Sequence, residues 1–396
     1  MDIVILVIGI LTSRSFSGQI PYIVEMCKAL QAEGCRVTVM TSRAGEKLFK
    51  SLGLDINFWL IDDGEEMDRP GLLRIAFTMI KRMFRAGALL KKAGFQRPTI
   101  VYSNCNLLWE VFPLRYVRDE AAVRVGTFIM SYPHPFKGYR GAFTTRLKIP
   151  TPRETLAYIQ YRLALPYLKR YSDYILAYPQ MFNFLKTQGV PEAKLIKLEV
   201  GVRWDILNTA VSLERRYDAC WIGRYNPQKG CDDLIDIWGM ITRTLPGARL
   251  AIMGNVAEEL GPLSRRKNLQ NSIDFLGTVD ETTKYRVMKA SRVFLFPSYY
   301  EAWPQTAQEA MACGLPVVAY DLPVYRHVFP GGMVRVLIGD KRALAREAVD
   351  LLQDAELRTR LSGEAFGIAS QYHWENTALR MLAVVKGDRT KSSVPE

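Results

Sequence analysis

The chain has 396 residues, 48% hydrophobic and 23% charged, with a formal net charge of +13. That length is too great for one ordinary core and predicts about two domains. No apolar run approaches the roughly 20 residues needed to cross a bilayer, and six scattered cysteines without a CxxC pair argue against a zinc site or a disulfide framework.

Those thiols predict a reducing, cytoplasmic setting, with any membrane association peripheral. The charge is uneven. Residues 1–205 hold 29 Lys and Arg against 18 Asp and Glu, a net of +11, which leaves +2 for the remainder. Such asymmetry points to an acidic partner for the first half: an anionic membrane surface, a phosphate-bearing substrate or nucleic acid. Plain solubility is the bland alternative.

In chain order, residues 3–11 form a strand-like apolar run behind Asp2, without the basic start and small-residue cleavage site of a signal peptide. A Ser/Gly loop follows. The helix after it carries Ile20, Ile23, Val24, Cys27 and Leu30 at helical spacing and ends at Gly34. Further strands are predicted at 36–41, 99–103, 124–130, 174–177 and 194–200, and a basic amphipathic helix at 72–92, whose apolar face reads most simply as packing on a sheet, with contact to a membrane surface as the alternative. A polar linker near 203–216 precedes a second series, with strands at 219–222, 249–253, 272–276, 293–296 and 316–319. Strands alternating with helices in both halves predict two parallel sheets covered by helices, each Rossmann-like, facing across a cleft. The expected limits are 1–205 for a first, acceptor-side domain and 206–371 for a second, nucleotide-binding one. A helix near 372–386 is expected to pack back on the first domain, and 387–396 reads as a disordered tail.

Doubly wound sheets bind ligands at the carboxyl ends of their strands. Three loops of the second half lie there. Gly223-Arg-Tyr-Asn-Pro-Gln-Lys-Gly230 brings Arg224 and Lys229 to one Gly-bounded turn, where two cations can meet one diphosphate. Lys229 is followed by Gly230, so the loop is not a Walker A motif. Taken alone, two basic residues in a loop are more often solvated. Phe275-Leu-Gly-Thr-Val279 contains Gly277, which either lets a flat ring approach the backbone or merely turns the chain. The third loop runs from Ser298 to Pro304 into a helix that ends at Gly314, offering a positive helix start. Glu301 and Glu309 suit pairs of hydroxyls, and their apolar neighbours weigh against two merely exposed acids.

These loops, in this order, resemble the donor-binding domain of the retaining GT-B glycosyltransferases of family 4. The resemblance rests on GR-x4-KG, the FLG turn, E-x7-E and EAMA-x-G-x-PVVA, over about residues 218–320. It extends more weakly to Gly201-Val-Arg, Trp374 and the rest of the chain. It implies that Arg224 and Lys229, beside Gly223, hold the donor diphosphate and stabilise the departing nucleotide. It implies that Glu301 contacts sugar hydroxyls and Glu309 the ribose. Backbone at Leu276, Gly277 and Val279 would meet the base, and Ala302, Trp303, Pro304, Gln305 and Thr306 the diphosphate and sugar. Ala302-Trp303-Pro304 departs from the family's Gly-Phe-Gly or Gly-Phe-Pro, which leaves the sugar open. In the first half, Gly18 stands where the family has paired glycines facing the diphosphate. His134 stands several residues past the position of a histidine near the reacting sugar, and its alternative is a loop residue of the acceptor region.

No metal or other cofactor is expected, since the two cations supply the charge and no Asp-x-Asp pair occurs. The expected partners are a nucleotide-sugar donor (UDP or GDP with a hexose or N-acetylhexosamine) and a glycan or lipid-linked acceptor. Residues 137–170 hold eight basic side chains against Glu154 alone, with aromatic residues interleaved. That stretch makes an anionic membrane surface a candidate partner on the inner face. Nucleic acid is not expected, as no nucleic-acid motif accompanies the patch. The rival readings are a phosphorylase or epimerase on the same architecture, or a non-catalytic sugar-nucleotide or membrane-binding protein.

Overall fold

A computed structural model describes residues 1–13, 19–62, 64, 66–67, 70–129, 134–136, 149–214 and 217–387. Contacts divide the chain into two units. Among the described residues, the first comprises those within 1–136, 149–200 and 374–387, and the second those within 201–373.

In the first unit, the described strands are β1 (Asp2–Val7), β2 (Arg36–Thr41), β3 (Asn57–Leu60), β4 (Thr99–Ser103), β5 (Ala122–Phe128), β6 (Tyr174–Ala177) and β7 (Leu195–Lys197). They form one parallel sheet in the order β3-β2-β1-β4-β5-β6-β7. The second unit has β8 (Ala219–Ile222), β9 (Leu250–Met253), β10 (Ile273–Gly277), β11 (Val293–Phe296), β12 (Val317–Tyr320) and β13 (Met333–Val336). Their order is β10-β9-β8-β11-β12-β13, again parallel. Both units are therefore Rossmann-like α/β sheets. Central strands such as β4, β9 and β11 are buried along their whole length, which is why they read as unbroken apolar runs.

β3 and β13 are absent from the sequence reading. Each is a four-residue edge strand with a partly exposed pattern, too short to display a period. The first strand is shorter than expected, because residues 8–10 leave the ladder for side chains. Glu110 Oε1 accepts from the backbone N–H groups of Ile8 (2.7 Å) and Gly9 (3.2 Å). Buried Arg82 donates to the carbonyls of Ile8 (3.1 Å) and Ile10 (2.6 Å) and pairs with Asp62 at 2.5 Å. These side chains anchor the carboxyl end of β1 beside β4, where the order of strands reverses.

Helix Trp374–Val385 packs on helix Gln19–Ala32, with Trp374 against Tyr22 at 5.9 Å between ring centroids. Thr377 Oγ1 exchanges 2.9 Å hydrogen bonds with the backbone of Glu199, and Arg380 pairs with the Glu199 carboxylate. Helix Leu72–Ala93 is apolar on two sides: Met79, Met83, Ala86 and Leu90 are buried, and Leu73, Phe77, Ile80 and Phe84 face outward. Among the described residues no helix is long and apolar enough to cross a membrane.

Burial pushes the Glu110 carboxyl up from 4.5 to about 8, against the pull of its two backbone donors and of Arg82. A carboxyl with a raised folded-state pKa binds its proton more tightly when folded. Its favourable contribution is present below 4.5 and is lost as pH rises towards 8. Glu110→Gln mimics the protonated form. Between pH 5 and 8 the wild type should lose about 1.4 kcal/mol per pH unit through this group, and the variant should not. Denaturant melts across that range test this.

Candidate functional site

The chain runs β8, β9, β10 in one direction and returns to place β11 beside β8. The β8 and β11 loops therefore leave the sheet where its order reverses, the place where open α/β sheets leave room for a ligand.

Three glycines knit the ends of β8, β9 and β10. Gly223 donates to the Met253 carbonyl at 3.1 Å, and Gly254 to the Gly277 carbonyl at 2.7 Å. Gly254 has φ +119°, and a Cβ there would fall 2.0 Å from the Gly223 oxygen. Gly277 (φ +65°) follows a register shift that turns the chain out of β10.

The β8 and β11 loops touch just as closely. Asn226 Oδ1 accepts from Gln228 N at 2.9 Å and opens the short turn Pro227–Lys229. Gly230 ends that turn at φ +62°, where a Cβ would lie 2.0 Å from the Pro297 oxygen. Tyr299 N donates to the Gln228 carbonyl, and Gln228 Nε2 to the Tyr300 carbonyl, both at 2.7 Å. Below them, Asp233 accepts from the hydroxyls of Tyr299 (2.5 Å) and Tyr320 (2.8 Å). Lys229 Nζ consequently lies 2.7 Å from Glu301 Oε1 and over the Phe296 ring. Arg224 is exposed and its guanidinium has no partner among the described residues.

Pro304 precedes helix Gln305–Ala312. Trp303 turns inward, donating from Nε1 to Gln308 Oε1 at 2.7 Å and packing edge-on to Tyr372. Its ring is thus spent on the interior, while Ala302 is half-buried in the loop. The buried hydroxyls of Ser298, in the loop after β11, and Thr306, in the first turn of this helix, have no partner among the described residues.

Glu309 does not join Glu301. Its Oε1 takes Lys284 Nζ at 2.9 Å and Gln305 Nε2 at 3.3 Å, while Lys284 also holds Glu281 at 2.8 Å. Burial raises the Glu309 carboxyl, Lys284 opposes that, and Glu281 adds to it. Burial would lower the Lys284 ammonium, yet Glu309 and Glu281 outweigh it and hold the charge. Lys284 and Gly254 are additions to the sequence reading. Gly254 was signalled by its place directly after a strand, whereas nothing in the sequence pairs Lys284 with Glu309.

Leu276 is the penultimate residue of β10, and Val279 is half-buried just beyond the strand. His134 belongs to the first unit, exposed, 5.4 Å from the Tyr158 ring and 5.7 Å from Phe136. Gly18 lies outside the described residues. Among those residues no group of three His, Cys, Asp or Glu side chains is placed to hold a metal.

Residues 203–366 match the family described as glycosyl transferases group 1. A phosphatidyl-myo-inositol mannosyltransferase of Mycobacterium leprae is 32% identical over 206 residues, 50% of this chain and 55% of the relative. The chain thus spans about half the length of the curated relatives it matches. The fold is shared with sucrose-phosphate synthase from Thermosynechococcus elongatus, at TM-score 0.71, 18% identity and 98% coverage of each chain. It is shared also with HepE of Anabaena, solved with UDP and glucose, at TM-score 0.68, 17% identity, and coverage of 98% of this chain and 100% of that one.

Gly230→Ala should cost about 2 kcal/mol or more, since it adds left-handed strain to a backbone clash. It should also separate Lys229 from Glu301. A lower melting temperature, with Lys229 Nζ freed in amine chemical-shift spectra, would agree.

Proposed function

We propose that this chain, whose second unit is a glycosyl transferases group 1 domain in a GT-B fold, is a retaining, metal-independent glycosyltransferase of family 4. It moves a hexose or N-acetylhexosamine from a UDP- or GDP-sugar to a hydroxyl of a glycan or glycolipid, in the synthesis of cell-envelope saccharide. The observation that carries this reading is the Lys229–Glu301 pair at the reversal point of the second sheet, with Lys229 on the same loop as Arg224, whose guanidinium has no partner among the described residues.

The chemistry follows from charge. Arg224 and Lys229 take the diphosphate and stabilise the negative charge that grows as the sugar departs, the role a metal has in other transferases. Backbone from Ala302 to Thr306 and the start of helix Gln305–Ala312 add dipoles to the same group. Glu301 accepts from sugar hydroxyls and keeps Lys229 directed at the site. Glu309, paired with Lys284, accepts from the ribose hydroxyls. Gly223, Leu276, Gly277 and Val279 present backbone to the phosphate and base. The acceptor oxygen bonds to the anomeric carbon on the face the phosphate leaves, and the departing phosphate oxygen takes the acceptor proton. No side chain need act as base. Gly18 and His134 keep the roles the family resemblance gives them and rest on it alone.

The mannosyltransferase named above supports a lipid-linked acceptor, and the UDP and glucose bound to HepE support a nucleotide-sugar donor. An anionic membrane surface is the proposed partner of the basic first unit, on the cytoplasmic side.

A donor-hydrolysis screen across UDP-, GDP-, ADP- and dTDP-sugars tests the reading. One donor should be hydrolysed slowly without acceptor. Lys229→Ala should cut that rate about 10²- to 10³-fold, as expected for removal of a group that stabilises transition-state charge, and Glu301→Ala should cut it as well. A rate indifferent to both changes would remove these residues from the site.

A further inference from the structure

Helix Leu72–Ala93 has no acidic residue in its 22 positions. Leu73, Phe77, Ile80 and Phe84 recur at helical spacing on one face, and they are 88%, 70%, 54% and 51% exposed. They follow one line for ~16 Å along the helix, at 1.5 Å per residue. At about 100° per residue, Arg74, Lys81, Arg85 and Lys92 fall in a second line along one side of that stripe, all exposed. The opposite face, with Met79, Met83, Ala86 and Leu90, is the one that packs on the unit. The helix therefore has an apolar face to spare.

The neighbouring helix Pro152–Tyr171 repeats the arrangement. Leu156, Ile159 and Leu163 are exposed along one face, with Arg162, Lys169 and Arg170 also exposed. Both helices pack against the 3-10 turn Phe112–Tyr116 of the same unit. Phe112 joins the two, meeting Phe84 at 5.5 Å and Tyr167 at 5.1 Å between ring centroids. Arg115 covers Phe112 at 5.0 Å and adds a cation between the stripes. Lys137, Arg140, Arg146 and Lys148, expected in the same basic stretch, lie outside the described residues, as does the Arg153 side chain.

Scattered exposed apolar residues are ordinary, but aligned large ones rimmed by charge of one sign are not. We propose that these two helix faces form the surface by which the first unit docks on an anionic lipid bilayer. The helices would lie in the plane of the interface, with Leu73, Phe77, Ile80 and Phe84 entering the acyl boundary and the cations meeting headgroup phosphates. Charge selects this occupant. A second copy of the same face would set one row of cations against another, and a bilayer of anionic lipids complements it. The choice of partner rests on the proposed lipid-linked acceptor, and such docking would hold the unit where that acceptor resides.

Sedimentation with vesicles tests this without donor or acceptor present. The full chain should bind phosphatidylglycerol–phosphatidylcholine vesicles at least tenfold more tightly than phosphatidylcholine alone, and 0.5 M salt should weaken it. Leu73→Gln/Phe77→Gln, at positions with little to lose in the fold, should reduce binding tenfold or more with an unchanged melting temperature. Arg74→Gln/Lys81→Gln should reduce it about tenfold and flatten its salt dependence. Nucleoside diphosphate binding should be unaltered in both variants. The proposal is overturned if the wild type ignores anionic vesicles or if Leu73→Gln/Phe77→Gln binds them equally well. It is also overturned if the wild type forms a dimer that this variant abolishes. Failure of nucleotide binding in the wild type would instead count against the glycosyltransferase reading and leave the vesicle result standing.

Discussion

The close approach of two loops across the reversal point of the second sheet determines most of what this chain can do. Gly230 lets the turn after β8 come within van der Waals reach of Pro297, a contact that no side chain there could survive. Because of it, Lys229 and Glu301, far apart in sequence, share a 2.7 Å ion pair. The same device recurs at Gly254, which brings the end of β9 against Gly223. Small residues thus build a rigid backbone cradle, and the polar side chains around it are positioned as a consequence. Asp233 below the cradle, bonded to two tyrosine hydroxyls, braces the helix that follows Gly230 against β12 and the β11 loop.

The first unit solves a related problem by different means. At its own reversal point, beside β1 and β4, buried Arg82 and Glu110 occupy the carbonyl and N–H groups that leave the ladder after Val7. Burying such groups is tolerable only because each finds partners. The cost is visible in the Glu110 carboxyl, pushed up to about 8 by burial. Outside, this unit is basic where the second is nearly neutral, and its exposed apolar stripes add to that difference. Charge and apolar exposure therefore distinguish the two units, and the proposed partners follow that difference: a small anionic ligand for the second, an extended anionic surface for the first.

Much of the architecture was legible because parallel sheets are buried on both faces and read as plain apolar runs. Edge strands β3 and β13 were not, being four residues long and half-covered. The ends of β1 were misread for a physical reason, since Ile8 and Ile10 look like strand residues but bond to side chains. In the second unit, Lys229 and Glu301 were suggested by their loops, and the structure supplies their contact. Lys284 had no signal, because it acts by touching Glu309 across two helices, and contact at that range leaves no mark in local spacing. The outward face of helix Leu72–Ala93 was not separable from its buried face in the sequence. Its periodicity was clear, but a helix apolar on two sides shows the same period whether one face or both are buried.

The central claim is that the second unit holds the diphosphate of a nucleotide, with Lys229 as one of its clamps. Calorimetric titration of UDP and GDP, each beside its parent nucleoside, into the wild type and Lys229→Met addresses it directly. One diphosphate should bind the wild type. The variant should bind it about tenfold or more weakly, the loss of one charge-assisted contact, while the parent nucleoside is little affected. Absence of diphosphate binding, or an equal loss for diphosphate and nucleoside, would contradict the account.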